Sequence, residues 1–231
     1  MSKYRKEWKY VCNNNKIDLL CQRLGAVLDK DIHTDNTNMY VVHSLYFDNY
    51  FNVCAKRVES GYPKKFKWRI RYYNDECETM KLEYKEKIKG EGRKTTTKIN
   101  KDIYDKLVSG DVSQLLWETT DNLVQKLCVD ILMHDYKPKA IVEYERIVYQ
   151  EPNLNIRVTI DKNISSSYEV NKFLSRNYIK FPLQVKGESI VEVKFDDILP
   201  GYIKNALGSI CGNRVSFSKY YIGRKMINEV F

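Results

Sequence analysis

Phe66-Lys67-Trp68-Arg69-Ile70-Arg71-Tyr72 sets three cations on one parity and apolar or aromatic residues on the other. Lys81-Leu82-Glu83-Tyr84-Lys85-Glu86-Lys87 repeats the pattern, with only Glu86 out of step. A period of two belongs to a β-strand, whose successive side chains point to opposite faces. Each segment therefore predicts a strand with one charged and one oily face. Glu7 and Lys9 alternate with Trp8 and Tyr10 in the same way, Arg157, Thr159 and Asp161 with Ile156, Val158 and Ile160, and Glu192 and Lys194 with Val191, Val193 and Phe195. Further strands are expected at Tyr40–Phe47, Ala140–Gln150 and Ser216–Ile222. Gly90-Glu91-Gly92 reads as a turn.

Helical spacing fills the gaps. Ile17, Leu20, Cys21, Leu24 and Leu28 mark a helix within Asn15–Leu28, and Asn100 caps a second over Lys101–Val108. A short helical turn is expected at Asp111–Leu116. Asp121–Tyr136 and Asp197–Ile210 each carry an apolar stripe. Strands in runs with inserted helices give an α+β class, not a βαβ series. For a single strand, a charged face is ordinarily a solvated face over a sandwich core. Five or six such strands, with apolar helices also needing cover, favour another solution: helices pack outside, and the charged faces close on one another as a wet cationic barrel. The expected architecture is a closed antiparallel β-tunnel of about eight strands with helices on the outside.

The bulk composition agrees. The 231 residues form one expected domain, 1–231, since only 10 glycines and 5 prolines are present and no stretch concentrates them into a linker. A net charge of +9, from 39 Lys+Arg against 30 Asp+Glu, suggests a polyanionic partner. The basic residues are spread over many strand faces and not gathered in one stripe, which argues against nucleic acid. No run of about 18 apolar residues is present to span a membrane, and the charged N-terminus does not read as a signal peptide. Six cysteines without a C-x-x-C pair suggest reduced thiols and a cytoplasmic setting. The three histidines do not cluster, and no G-x-x-x-x-G-K-[ST] loop is present.

Eight segments in order resemble the VTC-type polyphosphate polymerase domain, a branch of the triphosphate tunnel metalloenzymes. They are Tyr4-Arg-Lys-Glu-Trp-Lys-Tyr10, Ser44-Leu-Tyr-Phe-Asp48, Phe66–Tyr72, Lys81–Lys87, Val142-Glu-Tyr-Glu-Arg146, Ile156-Arg-Val-Thr-Ile-Asp161, Val191-Glu-Val-Lys-Phe195 and Phe217-Ser-Lys-Tyr220. The resemblance implies an eight-stranded tunnel holding a triphosphate and a divalent ion, Mn²⁺ or Mg²⁺. It implies a polymerase that moves the terminal phosphate of ATP onto a growing polyphosphate chain. Hydrolysis of inorganic triphosphate, or binding of polyphosphate or inositol phosphates without turnover, are the alternatives.

On that reading Lys9, Arg69, Arg71, Lys85 and Lys219 form the catalytic set. Arg69 and Arg71 lie about 7 Å apart on one face, and each guanidinium can grip phosphate oxygens as a fork. Arg146, Arg157, Lys194 and Ser218 bind substrate, the choice of Arg146, Arg157 and Ser218 resting on the resemblance alone. Glu192 is the expected metal ligand, supplying the hard oxygen that a divalent cation prefers. Ser218 and Lys219 are expected on the last strand. Lys81, Lys87, Arg93 and Lys94 read as solvated. The chain departs from the wider superfamily at Arg5, where a glutamate is usual, so Arg5-x-Glu7-x-Lys9 trades an acid for a base. Ser216 stands where some members carry lysine, which lowers the charge at that end.

Overall fold

A computed structural model describes residues 5–31, 39–88 and 91–230. Among these lie ten strands: β1 (Lys6–Asn13), β2 (Asp29–Lys30), β3 (Met39–Asp48), β4 (Lys64–Tyr73), β5 (Met80–Ile88), β6 (Glu91–Ile99), β7 (Lys137–Glu151), β8 (Ile156–Ser167), β9 (Phe181–Pro182) and β10 (Glu188–Phe195). Seven helices accompany them: α1 (Ile17–Gly25), α2 (Val53–Glu59), α3 (Lys101–Ser109), α4 (Ser113–Glu118), α5 (Asn122–His134), α6 (Gly201–Leu207) and α7 (Lys219–Val230). The strands form one antiparallel sheet in the order β1-β10-β8-β7-β3-β4-β5-β6, with β2 paired to β7 and β9 to β8.

No continuous hydrogen-bonded ladder joins the two edge strands among the described residues. The sheet nevertheless curls until its edges meet at one antiparallel bridge, Arg5 to Gly92. Lys85 on β5 reaches Glu7 on β1 at 3.1 Å, although five strands lie between them along the ladder.

The oily faces look outward and are covered in two blocks. Trp68, Ile70, Met80 and Leu82 pack beneath Leu107, Leu115, Val124, Leu127 and Ile131 of the α3–α5 group. The indole N–H of Trp68 donates to Asp130 Oδ2 at 2.7 Å, so its one polar atom is satisfied. On the other side, Val158, Ile160, Val191, Val193 and Phe195 pack under Leu20 and Leu24 of α1 and Ile203 and Leu207 of α6. Each of these fully buried aliphatic side chains contributes about 1.5–3 kcal/mol. As expected, the Asn100 carboxamide oxygen caps α3 by accepting from the Ile103 N–H.

Two local expectations need correction, and one helix, α2, has no counterpart among the expected elements. Ser216–Ile222 is not a strand: Ser218 lies in a loop and Lys219 opens α7. The Ser218 hydroxyl oxygen accepts from the Tyr221 N–H, and the Ser218 carbonyl accepts from the Ile222 N–H, which starts a helix where aromatic residues had suggested a strand. Helix α2 is held by the buried Asp48 carboxylate, which accepts from the N–H groups of Cys54 and Ala55. Of the turn expected at Gly90-Glu91-Gly92, Gly90 lies outside the described residues, and Glu91 and Gly92 already belong to β6.

Helix α7 does not join the outer layer. It packs on the concave face against β7 and β8, and Tyr220 stacks on Tyr46 of that face. Gly223 permits the approach: a Cβ there would fall 2.6 Å from Ser166 Oγ and 2.9 Å from its Cβ. Among the described residues no helix is long and apolar enough to cross a membrane.

Candidate active site

The register stacks charge along the concave face. Lys67 lies directly opposite Lys85, Lys85 opposite Lys94, Arg71 opposite Lys81, and Lys81 opposite Lys98. Like charges facing one another across a sheet are destabilising, and β4, β5 and β6 accumulate them. Glu83 offsets part of the charge. It is 1% exposed and meets Arg69 at 2.6 Å, Lys94 at 2.9 Å and Arg71 at 3.9 Å. Burial alone would raise the Glu83 carboxyl; Arg69, then Arg71 and Lys94, overcome it and hold the group below the carboxylate range.

Arg71, 5% exposed, draws its closest contacts from neutral oxygens. Its Nε donates to Ser44 Oγ at 3.0 Å and its Nη2 to Tyr144 Oη at 3.1 Å. Arg69 Nη1 donates to Tyr46 Oη at 3.1 Å. Burial raises the Tyr46 phenol, but Arg69 and Arg71 outweigh it and bring it down to about 7.

A second group sits where β1 meets β10. The Lys9 ammonium lies between Glu7 at 3.0 Å and Glu192 at 3.4 Å and donates to the Phe217 carbonyl at 2.8 Å. Lys194 pairs with Glu192 and Lys85 with Glu7. Glu192 is held well below its ordinary range, burial being outweighed first by Lys194 and then by Lys9. Burial brings Lys194 down to about 8 in spite of Glu192.

The third group is Arg146, Asp161 and Lys219. Arg146 makes a two-pronged pair with the fully buried Asp161 at 2.6 and 2.8 Å, and Lys219 reaches the same carboxylate at 2.5 Å. Arg146 and Lys219 together overcome burial and bring the Asp161 carboxyl to about 2. Between the groups, Lys67 Nζ donates to Ser218 Oγ at 2.7 Å.

The structure thus brings Lys9, Lys85, Lys194 and Glu192 into one group, Arg69 and Arg71 into another and Arg146 and Lys219 into a third. Arg157 shares the wall, opposite Lys194 in the register, but turns its guanidinium to Asp31 and Tyr40. Ser218 and Lys219 arrive on the loop and first residue of α7, not on a strand. Lys94, read from sequence as a solvated residue, is half exposed and paired with Glu83. Lys67, Glu83, Asp161 and Tyr46 complete the wall. Lys67, Glu83 and Asp161 share the parity of chosen residues, and that parity was the signal available for them.

Among the described residues no three His, Cys, Asp or Glu side chains gather into a protein-only metal cage. A divalent cation that draws most of its shell from water and phosphate needs only one or two carboxylates. Glu192 and Glu7, which share the Lys9 ammonium, are the carboxylates that would supply them. Beside Glu192 in the register lies Thr159, whose buried hydroxyl finds no hydrogen-bond partner among the described residues. This hard-oxygen set fits Mg²⁺ or Mn²⁺.

The fold is similar to that of a candidate adenylate cyclase (bh2851) from Bacillus halodurans, with a TM-score of 0.46 and 12% identity over 99% of this chain and 88% of that one. It is also similar to the PH1819 protein of Pyrococcus horikoshii, with a TM-score of 0.43 and 14% identity over 88% of this chain and 84% of that one. The search of curated proteins finds no match. The family model for the VTC domain matches residues 4–228. The chain belongs to the VTC domain family.

Proposed function

We propose that this protein is a metal-dependent polyphosphate polymerase, which moves the terminal phosphate of ATP onto a growing polyphosphate chain inside a closed basic β-tunnel. The observation that carries this reading is the facing of cation by cation across β4, β5 and β6, with the buried Arg71 solvated mainly by hydroxyls. So many like charges on one enclosed face call for a bound polyanion. The edge bridge at Arg5 and Gly92 and the Glu7–Lys85 contact support closure into a tunnel.

Phosphoryl transfer asks for positioning and charge stabilisation more than for covalent chemistry. Arg69 and Arg71 grip equatorial oxygens as forks, Arg146 and Lys219 bracket the next phosphate, and Lys9, Lys85 and Lys194 neutralise charge toward the β1 side. Arg157 binds the chain nearer the rim. Glu192, with Glu7, would hold the Mn²⁺ or Mg²⁺ ion, which supplies charge neutralisation between phosphates when bound.

Transfer to phosphate is favoured over hydrolysis by the state of the wall carboxylates. Glu7, Glu83, Asp161 and Glu192 are all held below their ordinary ranges by neighbouring cations, after those cations outweigh burial. They are poor bases for activating water. The end of a polyphosphate chain is already anionic and needs no such base.

Incubation with ATP and Mn²⁺, with long chains resolved from free phosphate on a gel, tests the reading. Long chains are expected, and Arg69→Ala abolishes them. Release of free phosphate alone indicates a triphosphatase, and tight polyphosphate binding without turnover indicates a binding module; either overturns the polymerase.

A further inference from the structure

We propose that Ser218 is a phosphoryl acceptor activated by Lys67, so that transfer passes through a phosphoserine on the enzyme. The inference rests on the tunnel reading above and assigns it a two-step chemistry.

A nucleophilic hydroxyl needs a base within hydrogen-bond reach, a fixed position and cations around the group it attacks. Lys67 Nζ lies 2.7 Å from Ser218 Oγ. The chain on either side is clamped: Lys9 Nζ donates to the Phe217 carbonyl at 2.8 Å, the Val215 N–H donates to the Lys9 carbonyl at 2.9 Å, and Lys219 is tied to Asp161 at 2.5 Å. Ser218 is thereby seated beside Lys9 and Lys219, cations of the kind that an incoming phosphoryl group requires.

The surroundings also prepare the base. Burial lowers the Lys67 ammonium, Tyr46 opposes this, and Lys9, Lys85 and Arg69 lower it further, to about 8. The neutral amine is therefore populated near neutral pH. An arriving triphosphate pairs with those same neighbouring cations and makes Lys67 a better proton acceptor as reaction begins. The product is favoured as well. Ser218 stands at the N-terminus of the twelve-residue α7, where backbone N–H groups and the helix dipole stabilise a phosphate.

In the first step the Ser218 Oγ–P bond forms and the bond from the γ-phosphorus to the β,γ-bridging oxygen breaks. The nucleoside diphosphate leaves with the electron pair, and the hydroxyl proton passes to Lys67 Nζ. In the second, a terminal oxygen of the polyphosphate chain attacks phosphorus, the Oγ–P bond breaks, and Lys67 returns the proton to Ser218 Oγ.

The test uses the full chain with Mn²⁺ and γ-phosphate-labelled ATP without added acceptor, quenched in acid and mapped by peptide mass spectrometry. Acid-stable label is expected on Ser218, together with exchange of labelled ADP into ATP, and tripolyphosphate should chase the label into longer chains. Ser218→Ala is expected to lose label and exchange by about 100-fold or more, and Ser218→Thr to retain both. Lys67→Met is expected to slow labelling by about 10²–10⁴-fold. Chain growth by the unsubstituted protein without label or exchange establishes direct transfer and overturns the phosphoserine while keeping the polymerase. Label on another residue overturns it too. Label on Ser218 without any polymer keeps the phosphoserine and overturns the polymerase. Neither label nor polymer overturns both.

Discussion

Glu83→Gln removes one negative charge from a point where Arg69, Lys94 and Arg71 converge at 2.6, 2.9 and 3.9 Å. The carboxylate is 1% exposed, so solvent does little to screen it. Breaking a buried ion pair by neutralising one partner costs about 3–5 kcal/mol. Lys94 is 50% exposed and can turn to water, which places the cost near the low end, about 3 kcal/mol. For a chain of this size that corresponds to a fall in Tm of roughly 6–12 °C. Binding should move the other way. The amide releases Arg69 to a ligand, and one added charge-assisted hydrogen bond is worth about 1.5–3 kcal/mol, or roughly 10- to 150-fold in Kd. Thermal unfolding and titration calorimetry with sodium tripolyphosphate read the two effects. Glu86→Gln, on the opposite parity of β5 and 3.6 Å from the half-exposed Lys64, is the control and should change neither. The folded-state Glu83 carboxyl lies below its ordinary value. Its stabilising contribution is therefore complete above about pH 4.5 and disappears as pH falls through the folded value. The stability gap between the unsubstituted protein and Glu83→Gln should narrow in that direction. If Glu83→Gln binds tripolyphosphate no tighter than the unsubstituted chain, the cations of this wall do not face the ligand, and the reasoning is wrong.

Gly223→Ala forces a methyl group against Ser166 and should cost about 1–3 kcal/mol in urea unfolding; Ser166→Gly should recover part of the loss. Lys67 and Lys194, both brought down to about 8, lose their charge between pH 7 and pH 9, so tripolyphosphate affinity measured by calorimetry should weaken over that range. Between about pH 8 and pH 10 the ligand-free protein should gain stability from these two lysines, because there the unfolded chain holds protons that the folded one has shed. Glu192→Gln should raise the Mn²⁺ concentration for half-maximal chain synthesis by about tenfold or more, while tripolyphosphate binding without metal stays intact or tightens.

The strands that bury an oily face were readable because period two is imposed by the pleat itself. β1, β4, β5, β8 and β10 all show it. β6 was not, because an edge strand such as Glu91–Ile99 needs little apolar cover and its sequence is charge and threonine. α2 is short, and its N-terminal N–H groups are satisfied by Asp48, several residues upstream at the end of β3, so no local signal announces it. The aromatic run Phe217, Tyr220, Tyr221 looked like a strand because helical and pleated burial both draw on aromatics. The contacts that decide it, Tyr220 against Tyr46 and Asp48, lie about 170 residues away. The same limit governs the site. Parity placed Lys9, Arg69, Lys85 and Glu192 on charged faces, but parity cannot show which faces meet. Glu7 finding Lys85, and Lys67 finding Ser218, depend on the curl of the whole sheet.

Pairing of the first strand with the tenth has a consequence for how the molecule is made. Lys6 pairs with Phe195, so β1 waits for its partner until β10 has also left the ribosome. At translation speeds of 5–20 residues per second, that is a wait of roughly 10–40 s. Throughout it the nascent chain displays lysine-rich hairpins that the finished protein turns inward. Anionic polymers in the surrounding solution have that interval in which to settle on them. Refolding rates measured with and without added polyphosphate would show whether such company helps the sheet to curl or holds it flat.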